Sequence, residues 1–303
     1  MTLRHNEKNK TFYEFLETQL QLFKGHLMVT KASKDEEAIH QMRVAIKRIR
    51  TIQKLKKKID FPVNIPDTIN EAIKVVFQTT GRLRDLQIQT GLLLHYQKEI
   101  KSPFKELENY LTQLGNELDE LISKTTREID LSAVEELPGL PESDYQIDIE
   151  KESLTFLDKK MSKINHLIIL ISNEEQVHEL RKQVKQLFFI LQFLSEKMSD
   201  SLLFGYDLKA LKRLSDALGF WNDRDFFRQM VLKFVSFQHA DFLENNPEYL
   251  ILLYLIEHEK RRFLHNLDIE LYLEMIMLKS LLQNNTFENM DEPKVENTGK
   301  LSG

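Results

Sequence analysis

The chain has 303 residues, of which 42% are hydrophobic and 29% charged. That is an ordinary globular composition with room for two domains, or for one domain built of two similar parts. It has no cysteine, which excludes disulfides and thiolate metal sites, and its longest apolar runs, such as Leu167–Ile171 and Leu250–Ile256, are too short to span a bilayer. A net charge of −5 argues, on average, against a polyanionic partner.

Nine Gly and seven Pro are few, and favour long helices over many short strands. The opening MTLRHNEKNK is polar and carries no secretory-type apolar core, so the expected location is the cytoplasm. Helical periodicity then predicts helices near Thr11–Thr30, Asp35–Ile59, Asp67–Ile100 and Pro103–Glu128. Pro62 and Pro66 separate the second from the third, and Gly81 and Gly91 are candidate kinks or breaks in the third. Residues 131–150, with Pro138, Gly139, Pro141 and scattered acids, read as a linker. Four more helices follow at Lys151–Ile171, Asn173–Met198, Asp207–Gln238 and Pro247–Leu282, with Asn173 and Gln176 placed to cap the second of these. Residues 285–303 are polar and aperiodic and are expected to be a disordered tail.

The chain repeats itself. IHQMRVAIKRIR at Ile39–Arg50 returns as VHELRKQVKQLF at Val177–Phe188, so that His40, Arg43 and Lys47 map to His178, Arg181 and Lys185. The same offset of 138, from His40 to His178, carries Gly81 to Gly219 and Asp85 to Asp223 without a gap. The expected fold is therefore all-α: two four-helix lobes, over residues 1–130 and 151–284, related by an internal pseudo-twofold repeat with a basic groove between them.

On the second helix, His40, Arg43, Lys47, Arg50 and Lys54 step by three and four residues and share one face, beside an apolar stripe of Ile39, Met42, Ile46 and Ile49. No acid lies between Gln41 and Ile59, so nothing local relieves the repulsion of a few tenths of a kcal/mol per like-charged pair. An anionic ligand would relieve it, with Arg as a planar fork for two phosphate oxygens and Lys as a mobile point charge. A solvated basic face is the plainer alternative, and the recurrence of the stripe weighs against it. In the second copy Phe188 and Gln192 replace Arg50 and Lys54, which predicts a weaker second wall. Asp85 and Asp223 are placed either to hold a stripe residue or to pair at the surface.

The phrases H-x-x-R-V-x-x-K-R-x-R at His40–Arg50 and G-R-L-R-D at Gly81–Asp85, with H-x-L-R-K-x-x-K at His178–Lys185 and L-K-R-L-x-D-x-L-G-x-x-N-D at Leu211–Asp223, resemble the CHAD domain, the conserved histidine α-helical domain. The resemblance covers about Phe12 to Leu282. It implies two similar helical lobes around a basic groove that binds inorganic polyphosphate, and association with polyphosphate granules. Carried onto this chain, the contacts it implies are His40, Arg43, Lys47, Arg50, Lys54, Arg84, His178, Arg181, Lys185 and Lys212, with Arg48, Arg82, Lys182 and Arg213 as secondary contacts. Phe188 and Gln186 depart from the basic pattern. No β-barrel partner domain is legible, so no enzymatic role is expected.

Metal catalysis is not expected either. His178-Glu179 and His258-Glu259 begin like a zinc-protease pair, but Lys182 and Arg262 stand where a second His is needed. No Walker loop or Ser-His-Asp arrangement is legible, and no cofactor is expected. Phe188, Phe189 and Phe193 read as core, and Trp221 as a cover for the groove. The remaining alternatives are a nucleic-acid-binding module, disfavoured because no aromatics interleave the stripe, a short-chain phosphohydrolase, and a helical adaptor in phosphate metabolism.

Overall fold

The computed structural model describes residues 2–33, 35–59, 65–129, 132, 149–197 and 208–267. These form nine helices and no strand: α1 (Thr2–Ser33), α2 (Glu36–Ile59), α3 (Asp67–Ile100), α4 (Lys105–Arg127), α5 (Ile149–Leu170), α6 (Glu174–Lys197), α7 (Leu208–Ser236), the single turn α8 (Phe242–Asn245), and α9 over residues 248–267. Among the described residues no helix is long and apolar enough to cross a membrane. The expected linker over 131–150, apart from Ser132 and the start of α5, and the expected tail lie outside the described residues.

The helix starts follow from local chemistry. Asp35 Oδ1 accepts from the Ala38 backbone N–H at 2.7 Å and opens α2, and Asn173 Oδ1 does the same for Gln176 at 3.0 Å and opens α6. Each cap satisfies an orphan N–H that helix geometry leaves unpaired. Gln176 reaches back to the Ser172 N–H at 2.7 Å, one residue earlier than a regular capping box. The two caps sit 138 residues apart, as do the ends of α2 and α6. Glycine does not break α3, which runs unbroken through Gly81 and Gly91. The turn Phe242–Asn245 was not expected, and α4 begins two residues after Pro103.

Apolar stripes at helical spacing build two main cores. Ile39, Met42, Ile46 and Ile49 of α2 are fully buried, as the periodicity predicts, each such side chain contributing about 1.5–3 kcal/mol. The first core joins α1, α2, α5 and α6 with the first halves of α3 and α7. The second joins α4 and α9 with the later halves of α3 and α7. Neither core is confined to one half of the chain. Helix α1 packs on α2, α3 on α4, and α6 on α5 and α7, while α2 also meets α5 and α6, and α3 meets α7. The segments at Gly81–Asp85 and Asn222–Asp225 lie where α3 and α7 pass from one core to the other. A third, small cluster, Ile39, Leu83 and Ile122, sits under the first of these segments.

Candidate functional site

The α2 stripe is held in place by α3. Arg43 is half-buried and donates through Nη1 to the Phe77 carbonyl oxygen at 2.7 Å. Its guanidinium carbon lies 4.4 Å from the centre of the Phe77 ring, and that of Arg50 lies 4.1 Å from it. Each of these is a cation–π contact, worth about 0.5–2 kcal/mol depending on desolvation. Gly81 makes the approach possible, since a Cβ there would sit 3.1 Å from Arg43 Nη1. Thus one edge of Arg43 is committed to the fold, which reduces the two-pronged grip expected of it.

The two repeated stripes meet. Lys47 of α2 feels the charges of Lys185 and Arg181 of α6, and Lys185 feels Arg43. Burial, then the neighbouring cations, push the Lys47 ammonium down to about 7 and that of Lys185 to about 8. Arg43 and Arg181 are shifted in the same direction, mainly by burial. Among the described residues no carboxylate lies within ion-pairing distance of these four cations. Asp85 and Asp223 act at longer range: Asp223 supports Arg181 and Lys185, and Asp85 supports Arg43, Lys47 and Arg181. Asp85 is accessible to water yet crowded by protein, so desolvation raises its carboxyl, Arg43 lowers it and Asp223 raises it again. The Nε of Arg181 is buried with no hydrogen-bond partner among the described residues, a donor that costs about 1–3 kcal/mol while unsatisfied.

The two motif histidines differ in role. His40 is exposed, and desolvation followed by the Arg84 charge lowers its proton affinity. His178 is half-buried, with its ring nitrogens 3.0 Å from Asn222 Oδ1 and 3.1 Å from Asp225 Oδ2. Both nitrogens thus face polar side chains of α7, so the His178 ring is oriented by the fold. Asp225 is fully buried and also accepts from Lys260, itself 2% exposed. Burial raises the Asp225 carboxyl, but Lys260 and His178 together bring it below its usual value. Trp221 is buried in this cluster with its ring edge toward His178 and Lys260 Nζ 5.0 Å from the ring centre, so it is core and not a cover. At the repeat offset this cluster replaces the apolar Ile39, Leu83 and Ile122 by Val177, Trp221 and Lys260.

Other expected contacts are scattered. Lys54 is exposed at the end of the stripe, and Arg84 beside His40 donates to Gln87 Oε1 at 3.3 Å. Arg48 turns toward α1, donating to the buried Gln19 at 3.5 Å, so it belongs to the α1–α2 packing and not to the stripe. Lys182 lies 3.9 Å from Glu179. Arg82, Lys212 and Arg213 are exposed. Gly219 has open space around it, so the close approach seen at Gly81 is not repeated. Phe77, which helps to build the site, carries no motif. Phe77 corresponds to Ser215 at the repeat offset, and only the packing of α3 on α2 reveals it.

Three possible metal ligands, His95 and Glu99 of α3 and Glu259 of α9, gather between those helices. Glu259 there already accepts from the Tyr96 hydroxyl and from Arg224, a cation that opposes a metal ion.

The described site can be set beside known proteins. No curated protein matches the chain. The crystal structure of the CHAD domain from the plant Ricinus communis matches with a TM-score of 0.58 and 16% identity, covering 85% of this chain and 91% of that one. At that identity the likeness speaks for the fold, which agrees in being all-helical. The family model for the CHAD domain matches residues 14–232, a span that includes both His-x-x-Arg helices and the two glycine–aspartate segments facing them. The paired basic helices and the helical architecture that carries them therefore have one source: the chain belongs to the CHAD domain family.

Proposed function

We propose that the protein binds inorganic polyphosphate without chemical turnover, in a basic groove where the α2 and α6 stripes meet. The observation that carries this reading is the approach of Lys47 and Lys185, with Arg43 and Arg181, where no carboxylate among the described residues lies within ion-pairing distance of them. Cations are gathered and desolvated in this way at a cost, and a polyanion would offset it. The stripe from His40 to Lys54 extends roughly 21 Å at about 1.5 Å per residue, a length suited to a chain of phosphates and not to a single one. Phe77, the aromatic ring of α3 beside the stripe, is already engaged by the guanidiniums of Arg43 and Arg50, which disfavours it as a platform for a nucleic-acid base. The cytoplasm and polyphosphate granules are the proposed location.

The test is a titration with long-chain polyphosphate at several salt concentrations, comparing the wild type with the Lys47→Gln, Lys185→Gln double variant. Binding of the wild type should weaken steeply with salt, and the double variant should bind at least tenfold more weakly. Equal affinity of the two proteins, or displacement of polyphosphate by an equal charge of RNA, would overturn the reading.

A further inference from the structure

The repeat predicts that the second stripe would run along α6 past Lys185, yet Phe188 and Gln192 stand there. Cationic side chains appear instead on α5. Lys160 donates through Nζ to Gln183 Oε1 and Gln186 Oε1, each at 2.6 Å. Gln183 is 5% exposed and is oriented by its own donation to Glu179 Oε1 at 2.6 Å. Lys160 therefore sits in a place prepared for it by α6. Among the described residues no carboxylate reaches it within ion-pairing distance. Burial first, then Lys54 and Lys163, bring its ammonium down to about 8, with Glu179 acting the other way. Lys54 in turn feels Arg50 and Glu179, and α2, which carries Lys54, packs on α5, which carries Lys160, so the positive charge of the stripe continues from one helix onto the other.

Glu179 is an anion in that neighbourhood with several claims on it. It pairs with Lys163 at 2.6 Å and Lys182 at 3.9 Å, accepts from Gln183, and attracts Lys54. The hydrogen bond from Lys163 is the main reason its carboxyl is held below the usual range. At the repeat offset Lys160 corresponds to Leu22, an exposed apolar residue, so neither the repeat nor the motif announces this arrangement.

We propose that the polyanion path leaves α2 at Lys54 and continues over Lys160 and Lys163 of α5, with Glu179 standing in for ligand phosphate when the path is empty. This rests on the polyphosphate reading above and adds a second segment to it. The first segment, around Lys47 and Lys185, takes short and long chains alike. The second is reached only by a chain long enough to pass Lys54, and it makes the protein selective for length.

The test uses the full chain with two probes, sodium tripolyphosphate and long-chain polyphosphate. Lys160→Met should weaken long-chain binding about tenfold, equivalent to about 1.4 kcal/mol for one charge-assisted contact, and leave tripolyphosphate binding unchanged. Lys160→Arg should keep most of the long-chain affinity. Glu179→Gln should tighten long-chain binding several-fold by removing the internal competitor. Should Lys160→Met fail to fold, Lys163→Gln, at an exposed position, should show the same selective loss. Unchanged long-chain affinity in Lys160→Met or its substitute, alongside loss in Lys47→Gln, would overturn the second segment and leave the first standing. If wild type binds neither probe, the polyphosphate reading itself fails, and the second segment with it.

Discussion

Lys47→Met is the substitution whose consequence is most directly worked from the structure. Burial and the nearby Lys185, Arg43 and Arg181 bring the Lys47 ammonium from 10.5 to about 7 in the folded protein. At about 1.36 kcal/mol for each tenfold change in proton affinity, the whole difference would be about 5 kcal/mol. Lys47 keeps partial contact with solvent, and screening there reduces the realised cost to about 1–2 kcal/mol. Because the folded value lies below the unfolded one, the unfolded chain binds more protons between pH 7 and 10.5, and the Lys47 contribution to stability rises with pH across that window. Below pH 7 the cost is present in full. Methionine keeps the length and the apolar stem while removing the charge. The variant should therefore be more stable than wild type by about 1–2 kcal/mol at pH 6–7, and the advantage should fade by pH 10.5. Urea denaturation at pH 6.5, 8.5 and 10.5, with equal slopes checked, measures it, and a polyphosphate titration should show binding weakened in the same variant. A variant no more stable than wild type at pH 6.5 would refute the view that the site holds desolvated positive charge. An advantage that persists unchanged at pH 10.5 would assign the gain to packing.

The two histidines should separate in a stability assay. His178→Ala removes one partner from the buried Asp225, which keeps Lys260 and Gln229, and one from Asn222, which keeps Asp223, and should cost about 1–3 kcal/mol, whereas His40→Ala, at an exposed position, should stay within about 0.5 kcal/mol; similar small losses in both would show that the Asp225 network does not depend on His178. The two glycines should separate as well. Gly219→Ala meets open space and should gain about 0.5–1 kcal/mol from helix propensity, while Gly81→Ala presses on Arg43 and should forfeit that gain; equal midpoints in urea for the two variants would mean that Arg43 moves away without cost.

Much of the architecture was legible because helices announce themselves locally. Asp35 and Asn173 cap helices through atoms within three residues, and the stripe of Ile39, Met42, Ile46 and Ile49 needs only the 3.6-residue period to find the core. The basic face of α2 was readable for the same reason. What α3 and α5 add to it was not. Phe77 becomes a platform for Arg43 and Arg50, and Lys160 an addition to the row, only because helices distant in sequence pack together.

The histidines mark the same limit from the other side. By sequence alone His40 and His178 are equivalent, since each opens the same phrase on the same kind of helix. The tertiary structure makes them unlike, because the residues that face them come from α3 and α7, where the cation Arg84 near His40 in one half stands against Asn222 and Asp225 at His178 in the other. A helix period determines which side chains share a face, and so the sequence determined the stripes and the family. What lies across from a face depends on long-range packing, and that decided which stripe residues remain available to an anion and which are held by the fold.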